Sequence, residues 1–209
     1  MNSFTPKIPV GILGATGMVG QRFVSLLANH PWFEIRALAS SSASARKTYG
    51  EAVSGRWALA SPLPANIQEM TLFDGETDLS KIAQQVRLVF SAVNMEKEAL
   101  QNLELAYAAA GVAVVSNNSA HRWTEDVPLV LPEVNADHLR LIPVQRKKRG
   151  WKTGCLVVKP NCSIQSYVPP LHALKEFGLK NVCVSTYQAI SGAGKTFATW
   201  PEMVDNVIP

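Results

Sequence analysis

The chain has 209 residues, 47 % of them apolar and 17 % charged, with a formal net charge of +4. That is ordinary globular composition, long enough for one full domain and part of a second. No apolar run approaches the roughly 18 residues of a membrane span, and Met1 to Pro9 lacks the basic-then-apolar layout of a secretory signal. Cys155, Cys162 and Cys183 make no disulfide framework, and no Cys or His pair has zinc spacing, so a reducing cytoplasm is the expected setting.

Ile8 to Leu13 is a short apolar run ending in glycines, which predicts a buried strand. Val19 to Asn29 has helical spacing (Val19, Phe23, Leu26, Leu27), and His30-Pro31 ends it. Phe33 to Ala39 predicts a second strand, followed by a polar loop from Ser40 to Ser44. Val86 to Val93 predicts a strand covered on both faces. Leu100 to Ala110 is an alanine-rich helix stopped by Gly111, and Val112 to Ser116 is the next strand. Alternating strands and helices imply an α/β fold, a Rossmann-type doubly wound parallel sheet.

Leu131 to Trp151 reads as a connection carrying Pro132, Pro143 and the basic run Arg146-Lys147-Lys148-Arg149. Such a run can bind nucleic acid, but beside Pro143 and Gly150 it reads as a solvated loop, and no nucleic-acid or membrane partner is expected. Gly154 to Val158 predicts a strand, Ser163 to Phe177 a helix, and Val182 to Ile190 another strand. The domains expected are 1–150, a dinucleotide-binding unit, and 151–209, the start of an α+β catalytic and dimerisation unit. Two strands and a helix or two are marginal as a unit, so this second domain is expected to be incomplete.

Gly14-x-x-Gly17-x-x-Gly20 follows the first strand and opens the first helix. The glycines permit a tight turn and close approach to a pyrophosphate resting on the helix amino terminus. The cofactor-binding set of this turn is Gly14, Thr16, Gly17, Met18, Val19 and Gly20. The end of the second strand reads Ala39-Ser40-Ser41-Ser42, with Arg46 and Lys47 shortly after and no carboxylate at that position. Hydroxyls of Ser40, Ser41 and Ser42 with nearby cations suit a 2′-phosphate, so NADP (NADPH) is the expected cofactor.

Lys159-Pro160-Asn161-Cys162-Ser163-Ile164-Gln165 places a thiol after an apolar run and at a helix start. Unpaired N–H groups and the helix dipole there favour thiolate, the form that attacks carbonyl carbon. Cys155 and Cys183 lie in apolar runs and read as small core residues. By position alone, a buried structural thiol is an equal alternative for Cys162.

Five motifs occur in order: Gly11-x-x-Gly14-Ala15-Thr16-Gly17-x-Val19-Gly20, Ser116-Asn117-x-Ser119-Ala120-His121-Arg122, Pro128-Leu129-Val130-x-Pro132-Glu133-Val134-Asn135, Pro160-Asn161-Cys162-Ser163 and Gln188-Ala189-x-Ser191-Gly192-Ala193-Gly194. Together they resemble the aspartate-semialdehyde dehydrogenase family in its archaeal and fungal-type branch. The resemblance implies an oxidoreductase of aspartate-family amino-acid biosynthesis (lysine, threonine, methionine). It would reduce L-aspartyl 4-phosphate to L-aspartate 4-semialdehyde through a Cys162 thioester, releasing phosphate. It assigns Arg122 to the substrate phosphate, with Asn117 and Ser119 in the same pocket. Gln165 falls one helical turn past the thiol, within reach of substrate. Ser191, Gly192 and Gly194 fall against the cofactor. A homo-oligomer is implied for the full-length family member. The family places a small residue where Asn118 stands. It also places a substrate-carboxylate arginine and a general-base histidine beyond Pro209, so weak or absent turnover is expected of these 209 residues. His172 lies about 15 Å along the helix from Cys162, His121 reads as a pocket wall, and His30 and His138 as surface. Pro169-Pro170 is expected to kink the helix.

Three other readings stand beside this one. A second acyl-phosphate or acyl-thioester reductase fits the scaffold. N-acetylglutamyl-phosphate reductase normally shows glycine before the cysteine, where Asn161 stands; malonyl-CoA reductase is not separated this way. A nucleoside-triphosphate site is suggested by Ala189 to Thr196, which nearly copies a P-loop after a strand. A non-catalytic remnant that binds NADP is the third.

Overall fold

The computed structural model describes residues 6–193 and 195–207. Six parallel strands form one sheet: β1 (Ile8–Leu13), β2 (Phe33–Ser40), β3 (Phe73–Asp74), β4 (Leu88–Ser91), β5 (Ala113–Ser116) and β6 (Cys155–Val158). Their order is β3-β2-β1-β4-β5-β6, so the winding reverses between β1 and β4. Connecting helices are α1 (Met18–Leu27), α2 (Tyr49–Val53), α3 (Ala65–Gln68), α4 (Leu79–Gln85) and α5 (Lys97–Ala109). Beyond β5 come α6 (Pro132–Asn135), a 3-10 turn, α7 (Leu141–Arg149) and, after β6, α8 (Cys162–Ala173).

Alternation along the strands builds a core on each face of the sheet. Val10, Ile12, Ile35 and Leu38 pack with Val24 and Leu27 of α1 and Tyr49 of α2. Leu13, Val89, Val114 and Leu156 pack on the other face with Ile82 of α4 and Tyr107 of α5. Gly11 sits at a register shift between β1 and β2, where a Cβ would press to 3.1 Å from Val89.

Three expectations are corrected. Cys155–Val158 does not open a second unit; it extends the first sheet by pairing along β5 from Ala113↔Cys155 to Ser116↔Val158. A four-residue apolar run needs cover on both faces, and β5 offered a free edge. Its seating is close: a Cβ on Gly154 would fall 1.8 Å from the Ala108 carbonyl oxygen of α5. The sheet therefore extends past residue 150.

The supposed connection holds α7, and the basic run is its last turn rather than a solvated loop. Arg149 pairs with Asp126, Lys148 with Glu125, and Arg146 donates to the Gly154 carbonyl. Cations in a last turn complement the helix dipole, and Gly150 (φ +71°) closes the helix in the left-handed region.

Val182 to Ile190 is not a strand. No described segment pairs with it, and an isolated strand leaves its backbone groups to water. Cys183, expected in a core, is exposed there. Without that strand the P-loop reading loses its context, and Ile190–Ala193 is a 3-10 turn. Helix α8 runs through Pro169 and Pro170 to Ala173 without interruption. No described helix is long and apolar enough to cross a membrane.

Candidate active site

The carboxyl ends of β1 and β4 frame the first cavity, about 220 Å³, at the point where the winding reverses. Gly14 turns at φ +76°, and a Cβ there would lie 2.5 Å from the Ala92 carbonyl oxygen, so only glycine fits between the two loops. The Gly14 and Ala15 N–H groups both donate to the Ala39 carbonyl at the end of β2. Gly17 precedes α1, whose start carries neither a side-chain cap nor an acidic residue. The first-turn N–H groups of Met18, Val19 and Gly20 have no intrahelical acceptor. Gly20 stands behind the turn, where a Cβ would meet the Gly14 carbonyl oxygen at 2.1 Å.

Gly14, Thr16, Gly17, Ser40 and Ser41 line this cavity together with Ala92 to Met95. Thr16 Oγ1 and Ser40 Oγ lie 2.8 Å apart and share a hydrogen bond. A glycine wall, an uncapped helix start and paired hydroxyls suit a dinucleotide's phosphates. Ser42 is exposed and does not line the cavity. Arg46 is engaged elsewhere: both terminal nitrogens bond Asp78, at 2.8 and 3.0 Å. Those bonds, with Lys81, hold the buried Asp78 carboxyl far below the usual carboxylate range. Glu76, from the loop after β3, also lines the cavity and brings a carboxylate that the end of β2 does not.

The thiol stands at the same edge of the sheet, beyond β6. Cys162 is exposed and is the first residue of α8. Asn161 is the cap: its Oδ1 accepts from the Ser163 N–H (2.9 Å) and the Ser163 hydroxyl (2.7 Å). The Cys162 sulfur lies 3.7 Å from Asn161 Oδ1 and 4.0 Å from Gln188 Oε1. A cleft of about 250 Å³ joins Cys162 to Gln188, Ser191 and Gly192. Ser191 and Gly192 thus stand with the thiol, not with the glycine turn; Gly194 lies outside the described residues. Gln165 donates to the Pro160 carbonyl at 3.1 Å, which steadies the turn leading into Cys162.

Asn117, Ser119 and Arg122 come from one loop after β5. Arg122 Nε donates to the Lys159 carbonyl at 3.1 Å, tying that loop to the turn that carries Cys162. Burial lowers the Lys159 ammonium below its usual range, the nearby Arg122 adds to this, and Cys162 opposes it. A second cavity, about 230 Å³, is lined by Asn94, Lys97, Asn118 and Ser119 and shares the Val93–Met95 wall with the first. Gln188 lies inside a recognised motif, but nothing in the sequence gave it a role; only the folded chain brings it to the thiol.

Three of the four histidines are occupied elsewhere. His121 is buried, with Nδ1 3.0 Å from Thr124 Oγ1 and Nε2 3.2 Å from the Gln101 carbonyl, and burial lowers its pKa. His30 accepts from the N–H groups of Trp32 and Phe33, and His138 contacts the Leu129 carbonyl. Among the described residues no histidine lines the Cys162 cleft and no cluster could hold a metal.

Residues 9–142 match the family model described as semialdehyde dehydrogenase, NAD binding domain. The chain is 42 % identical over 203 residues to an aspartate-semialdehyde dehydrogenase of Archaeoglobus fulgidus, covering 97 % of this chain and 57 % of that protein. It is 43 % identical over 206 residues to the one of Cryptococcus neoformans, covering 98 % and 55 %. The chain thus spans a little over half the length of these curated relatives. A crystal structure of the Candida albicans aspartate-semialdehyde dehydrogenase with NADP superposes with a TM-score of 0.71 at 36 % identity, covering 82 % of this chain and 48 % of that one. By its matched domain and by the relatives that align along nearly all of it, the chain belongs to the semialdehyde dehydrogenase family.

Proposed function

We propose that this chain carries the cofactor site and the nucleophile for NADPH-dependent reduction of L-aspartyl 4-phosphate to L-aspartate 4-semialdehyde. The observation that carries the reading is the exposed Cys162 at the capped start of α8, joined through Lys159 to Arg122 and on the sheet edge that holds the glycine-turn cavity. The relatives' names supply the semialdehyde, and the Candida albicans protein's NADP supplies the cofactor.

Arg122, with Asn117 and Ser119, holds the phosphate of the acyl phosphate, for which a guanidinium is shaped to bind bidentately. The Cys162 thiolate attacks the acyl carbon, the bond from that carbon to the phosphate oxygen breaks, and phosphate leaves with the electron pair. The product on the protein is a Cys162 thioester, which divides one difficult step into two. NADPH, held by Gly14, Thr16, Gly17, Ser40 and Ser41 and by the start of α1, supplies hydride when bound. Ser191 and Gly192 form the far wall of the thiol cleft. With no histidine among the described residues that line the cleft, acylation of Cys162 is expected to exceed full turnover.

Intact-mass spectrometry after exposure to L-aspartyl phosphate tests this. An aspartyl adduct with one phosphate released, absent from Cys162→Ser, is the expected result. A folded, NADPH-binding chain that forms no adduct overturns the reading.

A further inference from the structure

Glu104, on α5, is wholly buried and takes no part in the chemistry above. Its Oε1 accepts three hydrogen bonds: from Ser91 Oγ (2.7 Å), Ser116 Oγ (2.7 Å) and Asn118 Nδ2 (2.9 Å). Ser91 and Ser116 are the last residues of β4 and β5 and face one another in register. The network closes on itself. Asn118 Nδ2 also reaches Ser91 Oγ at 3.1 Å, and the Asn118 N–H donates to Ser116 Oγ at 3.0 Å. Glu104 Oε2 is buried with no hydrogen-bond partner among the described residues.

As a source of stability this is a poor arrangement. A carboxyl group taken out of water loses its hydration, three donors on one oxygen recover part of that, and the second oxygen recovers nothing. An apolar side chain of similar size would suit a helix that already buries Leu103, Tyr107 and Ala108. What the network does accomplish is geometric. It pins the backbone and the side chain of Asn118, which lies between Asn117 and Ser119 and at the root of the turn that carries Arg122.

We infer that Glu104 is a positioning residue for anion binding: its buried carboxyl group fixes the loop 116–118 so that Asn117, Ser119 and Arg122 converge on a phosphate. The inference rests on the reading that these three residues form the phosphate subsite.

The test is titration of the chain with inorganic phosphate and, in parallel, with NADPH, for the wild type, Glu104→Leu and Glu104→Gln. Glu104→Leu should weaken phosphate binding about tenfold, the scale of one charge-assisted hydrogen bond, with NADPH affinity and Tm retained. Glu104→Gln keeps an acceptor oxygen and should stay within about threefold of wild type. Unchanged phosphate affinity in folded Glu104→Leu overturns the inference alone. Equal loss for phosphate and NADPH with a lowered Tm also overturns it, by showing a general structural role. Wild-type chain that binds NADPH but not phosphate overturns the phosphate-subsite reading, and the inference with it. Should Glu104→Leu fail to fold, Asn118→Ala decides: about threefold weaker phosphate binding supports the inference and unchanged binding overturns it.

Discussion

Two helices begin at the same edge of the sheet, and they begin differently. The start of α1 is bare: Gly17 offers no side chain, and no acid follows in the first turn. The start of α8 is furnished: Asn161 takes up the Ser163 N–H and hydroxyl, and Cys162 projects into an open cleft. A bare start leaves its donors to an incoming anion. A capped start spends a donor on itself and presents a fixed side chain. On the proposed reading, the same backbone feature would serve recognition in one place and attack in the other, with the residue before the helix deciding which.

The contrast is easiest to break at the bare end. Gly14→Ala drives a methyl group to 2.5 Å from the Ala92 carbonyl oxygen at a positive φ. A stability loss of about 2–3 kcal/mol is expected in urea melts, with NADPH binding weakened at least about tenfold. Wild-type affinity in this variant would mean that the turn does not touch the cofactor.

At the furnished end, Asn161→Ala removes the cap. A loss of about 1 kcal/mol is expected by denaturation. Cys162 alkylation by iodoacetamide should slow, while NADPH affinity holds. A matching loss at both ends would dissolve the distinction between them.

The smallest expected effect is one of pH. Lys159 has a folded pKa below its unfolded value, chiefly through burial. Between those two values the unfolded chain binds the extra proton, so the unfolding free energy rises with pH across that window. Lys159→Met should remove this increment from a series of melts at increasing pH, and an identical pH profile in the variant would exclude Lys159 as its source.

Much of this was readable from the sequence where burial and local chemistry agreed. β1 and β2 are apolar runs bounded by glycine or proline, and the turn between them carries its own steric signature at Gly14 and Gly20. The stretch from Thr48 to Gln85 was not readable: α2 and α3 span five and four residues and β3 only two, too short for any periodicity to register. Helix α7 was hidden by Pro143, which lies in its first turn, where no N–H is needed. The opposite failure occurred at Val182 to Ile190, where β-branched residues suggested a strand but a strand requires a neighbour. Within the site, Cys162 and Arg122 were legible as motif positions. The engagement of Arg46 by Asp78, the approach of Glu76, and the placement of Gln188 beside Cys162 are tertiary facts with no local trace.

The placement of β6 beside β5 bears on how the two halves of the proposed chemistry keep their spacing. From β1 to β6 there are three strand intervals, about 14 Å at the usual sheet spacing. That separation is held by backbone ladders, which resist substitution far better than side-chain contacts do. The thiol is mounted on the cofactor's own sheet rather than on a body that must dock against it. Whatever follows α8 can therefore diverge, be exchanged or be redesigned around a thiol whose distance from the glycine turn stays constant, which on the proposed reading makes the end of α8 a natural splice point for building reductases of altered acyl specificity.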